Sequence, residues 1–322
     1  MRLRFLILWT ALVSASAYAQ NFPLYRIAYG TTGENPTALW IGVEQGFYRK
    51  HGINVEVLYM RSGPLAMSAM AAGDVQMVFT SANNVLNGAA AGLDVAVIAT
   101  IIPKAEGAFV ARPEIQNPEE LKGKYVAIQS LGGGGWANNM LALDYLNLDP
   151  ERDRIQFLIF PDQASRVRAL EMGRVQAAWL GYTFSDVLKK KGFGILVDLG
   201  RAPISYLGTS LVTRKATTRQ DPKAVEGIIK GTLDSVRFVL KPENRSVVVK
   251  TLMRRLRLSR VEDAESGYDS LQTTYVADLR PNAEGVNKIH KILSKANPKL
   301  QKIKPAEIID DAMIKRIHES GY

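Results

Sequence analysis

The second half of this chain repeats the first at a constant offset of 100 residues. Tyr25, Gly33 and Leu58 meet Tyr125, Gly133 and Leu158; Ala69, Gly73, Val75 and Gln76 meet Ala169, Gly173, Val175 and Gln176. Seven identities are few, and shared fold grammar could supply them, but strand, loop and helix patterns recur at the same places without a gap. Residues 25–30 read as a strand, 31–33 as a loop and 36–50 as a helix opened by Pro36. A second strand spans 54–60, a small-residue helix 63–72 and a third strand 75–80. A polar turn at 81–84 leads to another small-residue helix, and 94–102 is a fourth strand. Alternation of strands and helices, twice over in one register, constrains the chain to two similar α/β lobes, each with a mostly parallel sheet flanked by helices.

The matching loops after each first strand are the places to look for function. Residues 125–130 are an apolar, β-favouring run, Gly132 to Gly135 follow, and Trp136 opens helical spacing through Met140, Leu141, Leu143 and Leu146. Glycine weakens both strands and helices, so four in a row fit a place where backbone comes close to something. A strand that passes through glycines into a helix start presents free N–H groups and the positive end of the helix dipole, a site for an anion or polar head group. Taken alone, the glycines fit a ligand-free turn equally well. The repeat tips the balance, because ligands bind at the carboxyl ends of strands in open α/β sheets.

The segment 103–107 breaks the pattern. After it come a short strand at 109–112, a short helix at 118–123, and the second lobe, closed by a strand at 194–199. The extended run 205–213 could carry the chain back to the first lobe. Helices are expected over 222–241, 243–258, 260–276, 284–295 and 305–320, punctuated by Pro242, Pro281, Pro298 and Pro305. The expected division is a leader at 1–19, a first lobe at 20–105 and 205–322, and a second lobe at 106–204.

The leader is read from Arg2 and Arg4, the apolar stretch 5–13, and Ala17-Tyr18-Ala19 before Gln20, which places cleavage after Ala19. The expected destination is a bacterial periplasm. Without cysteine, disulfides, thiolate metal sites and a cysteine nucleophile are excluded. The formal charge is +10, and loss of Arg2 and Arg4 leaves 39 basic against 31 acidic residues. An exported protein rarely meets nucleic acid, so this excess is weak support for an acidic ligand.

Motifs for catalysis are thin. Gly132, Gly134 and Ala137 fit a dinucleotide fingerprint, with Asp162 forced into the ribose role, but export argues against a bound nicotinamide or flavin. No phosphate-binding loop, zinc-protease helix or nucleophile elbow occurs. His51, His290 and His318 share no spacing, and Asp310-Asp311 reads as a solvated pair. No catalytic residue, cofactor or metal is expected.

The stretch NPTALWIGVEQGFYRKHGINVEVLYM resembles the exported substrate-binding proteins of ABC importers for nitrate, sulfonate and taurine, which are similar to the thiamine-pyrimidine-precursor synthases. The likeness continues in SGPLAMSAMAAGDVQMVFTSANNVLNGAAAGLDVAVIAT, PEELKGKYVAIQSLGGGGWAN, RVRALEMGRVQAAWLGYTFSDVLKKKGFGILVDL and PAEIIDDAMIKRI. It implies a two-lobed, type II periplasmic binding fold with two crossovers and a helical tail, closing over its ligand like a clam. It places ligand contacts on Thr31, Thr32, Ser81, Asn83, Ser130, Gly132, Gly133, Gly134, Gly135, Trp136, Gln163, Gly181, Tyr182 and Ser210. The implied function is capture of a small anionic or polar organic molecule and delivery to a membrane permease, by a monomer with no nucleic-acid role. The synthases' cysteine-rich motif is absent. The alternatives are an exported enzyme on this scaffold and a sensor that presents ligand to another partner. Trp136 and Tyr182 could stack on an elongated ligand or pack within the protein.

Overall fold

The computed structural model describes residues 22–322; the leader assigned to 1–19 lies outside them. Two five-stranded sheets organise the chain. The first runs in the order β2, β1, β3, β10, β4, from strands β1 (Leu24–Tyr29), β2 (Asn54–Tyr59), β3 (Met77–Ser81), β4 (Val95–Thr100) and β10 (Thr209–Arg214). The second runs β7, β6, β8, β5, β9, from β5 (Ala108–Ala111), β6 (Tyr125–Ile128), β7 (Gln156–Ile159), β8 (Ala177–Leu180) and β9 (Gly194–Asp198). In each sheet the first three strands are parallel, and one strand runs against its neighbours: β10 between β3 and β4, β5 between β8 and β9. The chain therefore crosses between sheets twice, outward at β5 and back at β10. Phe109 of β5 lies opposite Trp179, and Leu211 of β10 opposite Phe79, so the crossing strands occupy equivalent places.

The 100-residue identities have a shared physical job. Helices α3 (Gly63–Ala72) and α6 (Gln163–Glu171) are followed by Gly73 at φ +89° and Gly173 at φ +71°, the left-handed region that favours glycine. The next N–H groups, of Asp74 and Arg174, return to the carbonyls of Ala69 and Ala169 at 3.0 and 2.9 Å. Val75 and Val175 are then fully buried. Gln76 and Gln176 bracket the start of the adjacent strand. Gln76 accepts from the Arg26 N–H at 2.9 Å through its side chain, and Gln176 from Tyr125 at 3.1 Å.

Helices α4 (Ala82–Ala90) and α7 (Tyr182–Lys189) continue the correspondence, as do α1 (Thr37–Glu44) and α5 (Gly134–Tyr145). The helix expected over 36–50 is two, because Gly46 adopts φ +71° between α1 and α2 (Phe47–Lys50). Past β10 the chain is helical: α8 (Lys215–Gln220), α9 (Pro222–Leu240), α10 (Arg245–Leu256), α11 (Val261–Thr274), α12 (Glu284–Ala296) and α13 (Ala312–Glu319). The last is shorter than expected. Residues 305–308 form a 3₁₀ turn, Ile309 bridges Val97 of β4, and the Asp310 N–H donates to the Val97 carbonyl at 2.9 Å. Helices α1, α9, α10 and α11 bury Ile228, Leu233, Val236, Leu252 and Leu271 against the first sheet. Each such side chain contributes roughly 1.5–3 kcal/mol.

Candidate functional site

The loops after β1, β3, β6 and β8 meet between the two sheets, at the carboxyl ends of those strands. They enclose a cavity of about 50 Å³. At 10–15 Å³ per water-sized centre, roughly, it admits a head group of a few heavy atoms. Hydrogen bonds draw the halves together around it. The Gln163 N–H donates to Thr32 Oγ1 at 3.0 Å, the Tyr182 N–H to Glu34 Oε1 at 2.8 Å, and Asn35 Nδ2 to Glu106 Oε1 at 2.9 Å. Asn83 Nδ2 donates to the Gly132 carbonyl at 2.7 Å, and Gln129 Nε2 to the Gly30 carbonyl.

Most helix starts facing this junction are already satisfied by the protein. At α1 the Ala38 N–H donates to the Tyr275 hydroxyl at 3.0 Å; at α4 the Ala82 N–H donates to the Leu207 carbonyl at 3.2 Å. The α6 start is capped by Asp162, whose Oδ1 accepts from the Ser165 N–H at 2.7 Å, and the α7 start by Glu34. Helix α5 differs. Its cap, Gly133, has no side chain, and the N–H groups of Gly134, Gly135 and Trp136 have no acceptor among the described residues. Gly134 and Gly135 line the cavity. Unsatisfied amides at the positive end of a twelve-residue helix suit an oxygen acceptor from a ligand.

Two buried side chains point the same way. Asn84 and Asn138 are 3% and 6% exposed and line the cavity, and the Oδ1 of each has no partner among the described residues. A buried polar atom left unpaired costs about 1–3 kcal/mol, which a bound solute would offset. Phe79, Trp179 and Tyr206 supply aromatic walls. Burial first, and then the charge of Glu34, push the Glu106 carboxyl up to about 8. Glu34, 1% exposed, is also raised by burial, partly offset by its bonds to the start of α7.

Of the residues expected at the site, Thr31, Ser81, Gly134 and Gly135 line the cavity. Others frame it. Asn83, Gly132, Thr32, Gln163 and Gly181 lie in the hydrogen bonds that join or brace the halves, with the Gly181 N–H donating to Gln163 Oε1 at 2.7 Å. Gly133 sits over the Ser130 hydroxyl, which is buried and unpaired. Three lie elsewhere. Trp136 lines a groove with Met140, Phe157 and Ile292; the Tyr182 hydroxyl turns outward to Asp198 at 2.6 Å; Ser210 is buried in β10 against Thr100 at 2.9 Å. Helical spacing alone did not say that Trp136 faces a groove beside Ile292, or that the Tyr182 hydroxyl turns to Asp198 in a neighbouring groove lined from both halves. The sequence reading passed over Asn35, Asn84, Glu106, Gln129, Asn138 and Trp179. For Glu106 a signal existed: it lies in the 103–107 segment where the strand–helix pattern breaks, which is the outward crossover.

The profile of the NMT1/THI5-like family matches residues 34–245. A search of curated proteins finds no match. Among solved structures, a protein of Bordetella bronchiseptica RB50 is 17% identical, covers 92% of this chain and 98% of its own, and superposes with a TM-score of 0.82. The alkanesulfonate-binding protein SsuA of Xanthomonas axonopodis pv. citri, solved with MOPS, is 18% identical over 90% and 98% of the two chains, with a TM-score of 0.72. DszB in complex with biphenyl-2-sulfinic acid is 16% identical over 92% and 99%, with a TM-score of 0.65. All three share the periplasmic binding protein fold with this chain.

Proposed function

The chain belongs to the NMT1/THI5-like family, and from that premise we propose that it is an exported solute-binding protein. One lobe comprises residues 20–105 and 205–322, the other 106–204. A small polar solute is captured between them, and the loaded, closed form is delivered to the membrane permease of an ABC importer. The observation that carries this reading is the cavity at the junction, where the bare amides of Gly134 and Gly135 and the unpaired Asn84 and Asn138 all await a partner. SsuA, a binding protein by its name, supports the role by likeness of fold. DszB, solved with biphenyl-2-sulfinic acid, shares the fold as well, and one fold can carry different functions, so the role rests on the site and not on the fold.

Binding would draw its energy from contacts made to both halves at once, which exist only in the closed form. Mass spectrometry of the protein purified under native conditions should reveal a co-purifying small molecule. Adding that molecule back after its removal should raise the melting temperature, with about 2.7 kcal/mol of stabilisation at a hundredfold excess over Kd. A protein that carries nothing and is stabilised by no member of a panel of amides, carboxylates, sulfonates and pyrimidines would count decisively against the reading. Permease and ATPase genes beside its own would favour import over sensing.

A further inference from the structure

We propose that Glu106 is a specificity-determining residue of the cavity, and that it selects an uncharged or zwitterionic solute bearing an N–H donor over a simple oxyanion. This rests on the receptor reading above. Glu106 lines the cavity and is 5% exposed; Asn35 uses Oε1, and Oε2 has no partner among the described residues. The other polar groups awaiting a ligand divide into two kinds. On one side are donors, the amides of Gly134 and Gly135. On the other are acceptors, Asn84 Oδ1 and Asn138 Oδ1, joined by the Glu106 carboxylate once it has lost its proton. A nitrate or sulfonate offers acceptors only, so it satisfies the first set and leaves the second unpaired.

Charge leads to the same answer. Among the described residues Lys104 is the only basic side chain lining the cavity; Glu106 offsets it once pH passes about 8 and its proton is lost, and Glu34 stands nearby. The remaining lining is hydroxyl and amide, including Thr31, Asn35, Gln129 and Thr209. With Glu106 ionised, a net anion would enter a near-neutral, low-dielectric pocket against a carboxylate, which is costly. A group that joins a carbonyl or charged oxygen to an N–H meets both walls: oxygen on the α5 amides, nitrogen on Glu106. Amides, ureides, sulfonamides and amino acids are of this class.

Three pairs of probes share shape and differ by an NH₂ in place of a charged oxygen: acetamide and acetate, formamide and formate, methanesulfonamide and methanesulfonate. Titrated at tens of millimolar into the isotopically labelled mature protein at a pH above about 8, where Glu106 is ionised, and read by NMR shift, the NH₂ member of each pair should bind about tenfold tighter or better. The preference should widen from neutral to alkaline pH as Glu106 loses its proton, with Glu34 and Asp198 facing it as acids, Lys104 as the base, and Tyr182 and Tyr206 as phenols. Glu106→Gln keeps the Asn35 bond, and its amide can turn N–H toward an oxyanion, so the ratio should fall about tenfold. Equal or tighter binding of the oxyanions by the wild type, or an unchanged ratio in a folded Glu106→Gln, overturns the inference and leaves the receptor reading standing. If the variant does not fold, the wild-type ratios and their pH trend decide. Binding of none of the six overturns both.

Discussion

At the scale of single residues, the two buried carboxyls set how the fold answers to pH. Glu106 is held up to about 8, above the ordinary carboxylate value, so the folded protein holds its proton more tightly than an unfolded chain does. Its contribution is complete below the unfolded value, near 4.5, and is lost as pH rises through about 8. At roughly 1.4 kcal/mol per pKa unit this is a few kcal/mol at most. Without ligand, melting temperature should fall from acid to mildly alkaline pH, and Glu106→Gln should flatten that slope; thermal melts of both across this window check it. A slope that survives in the variant would place the sensitive group elsewhere. The glycines make a second residue-scale test. A Cβ on Gly134 would lie 3.1 Å from Ser81 Oγ, at the mouth of the α5 amides, whereas Gly73 has open space around it. Gly134→Val should therefore abolish solute binding with little change in melting temperature, read by the same NMR titration. Normal binding by that variant would mean the polyglycine loop is only a turn.

At the scale of elements, stability and legibility meet in the repeated turn after α3 and α6. Gly73→Ala forces a left-handed backbone on a residue with a Cβ, without a clash, and should cost about 1–2 kcal/mol in urea unfolding. Gly173→Ala should cost at least as much, because its Cβ would press on the Arg112 guanidinium at 3.2 Å. These turns were legible in the sequence because glycine, valine and glutamine recur at the 100-residue offset, and a glycine just past a helical run is a local signal of a left-handed cap. The order of strands and the return at β10 were legible for the same reason: hydrophobic period and turn chemistry are local. The cavity wall was not. Asn84 and Asn138 sit inside helices α4 and α5, where spacing gives a face but not which neighbour that face meets. Glu106 comes from a crossover whose path depends on both sheets at once. Trp136, read as a possible stacking partner, packs toward α12 because the chain past β10 supplies a surface there, beside Ile292.

At the scale of the whole molecule, hydrogen bonds tie the two halves across the junction, and the closure that the proposed function requires can be weakened at residues that do not line the cavity. The first half reaches across through Thr32 and Glu34, which accept from the starts of α6 and α7. Neither residue lines the cavity. Outside, Lys190 pairs with Asp263 at 3.4 Å, and Lys288 pairs with Asp144 at 2.5 Å. Those ion pairs are exposed and contribute about 0–1 kcal/mol each, so the buried bonds dominate. A hydrogen bond contributes about 0.5–1.5 kcal/mol net, so losing two approaches the few kcal/mol that separate open from closed forms of a two-state protein. Thr32→Val combined with Glu34→Ala should therefore shift the unliganded population toward open. X-ray scattering would then show a radius of gyration above the ~19 Å of a compact chain this long. Saturating solute should restore the smaller value, with affinity reduced by the fraction of closed form lost. The competing expectation is specific: if the two sheets form one rigid body, the variant loses stability but keeps the wild-type radius with or without solute.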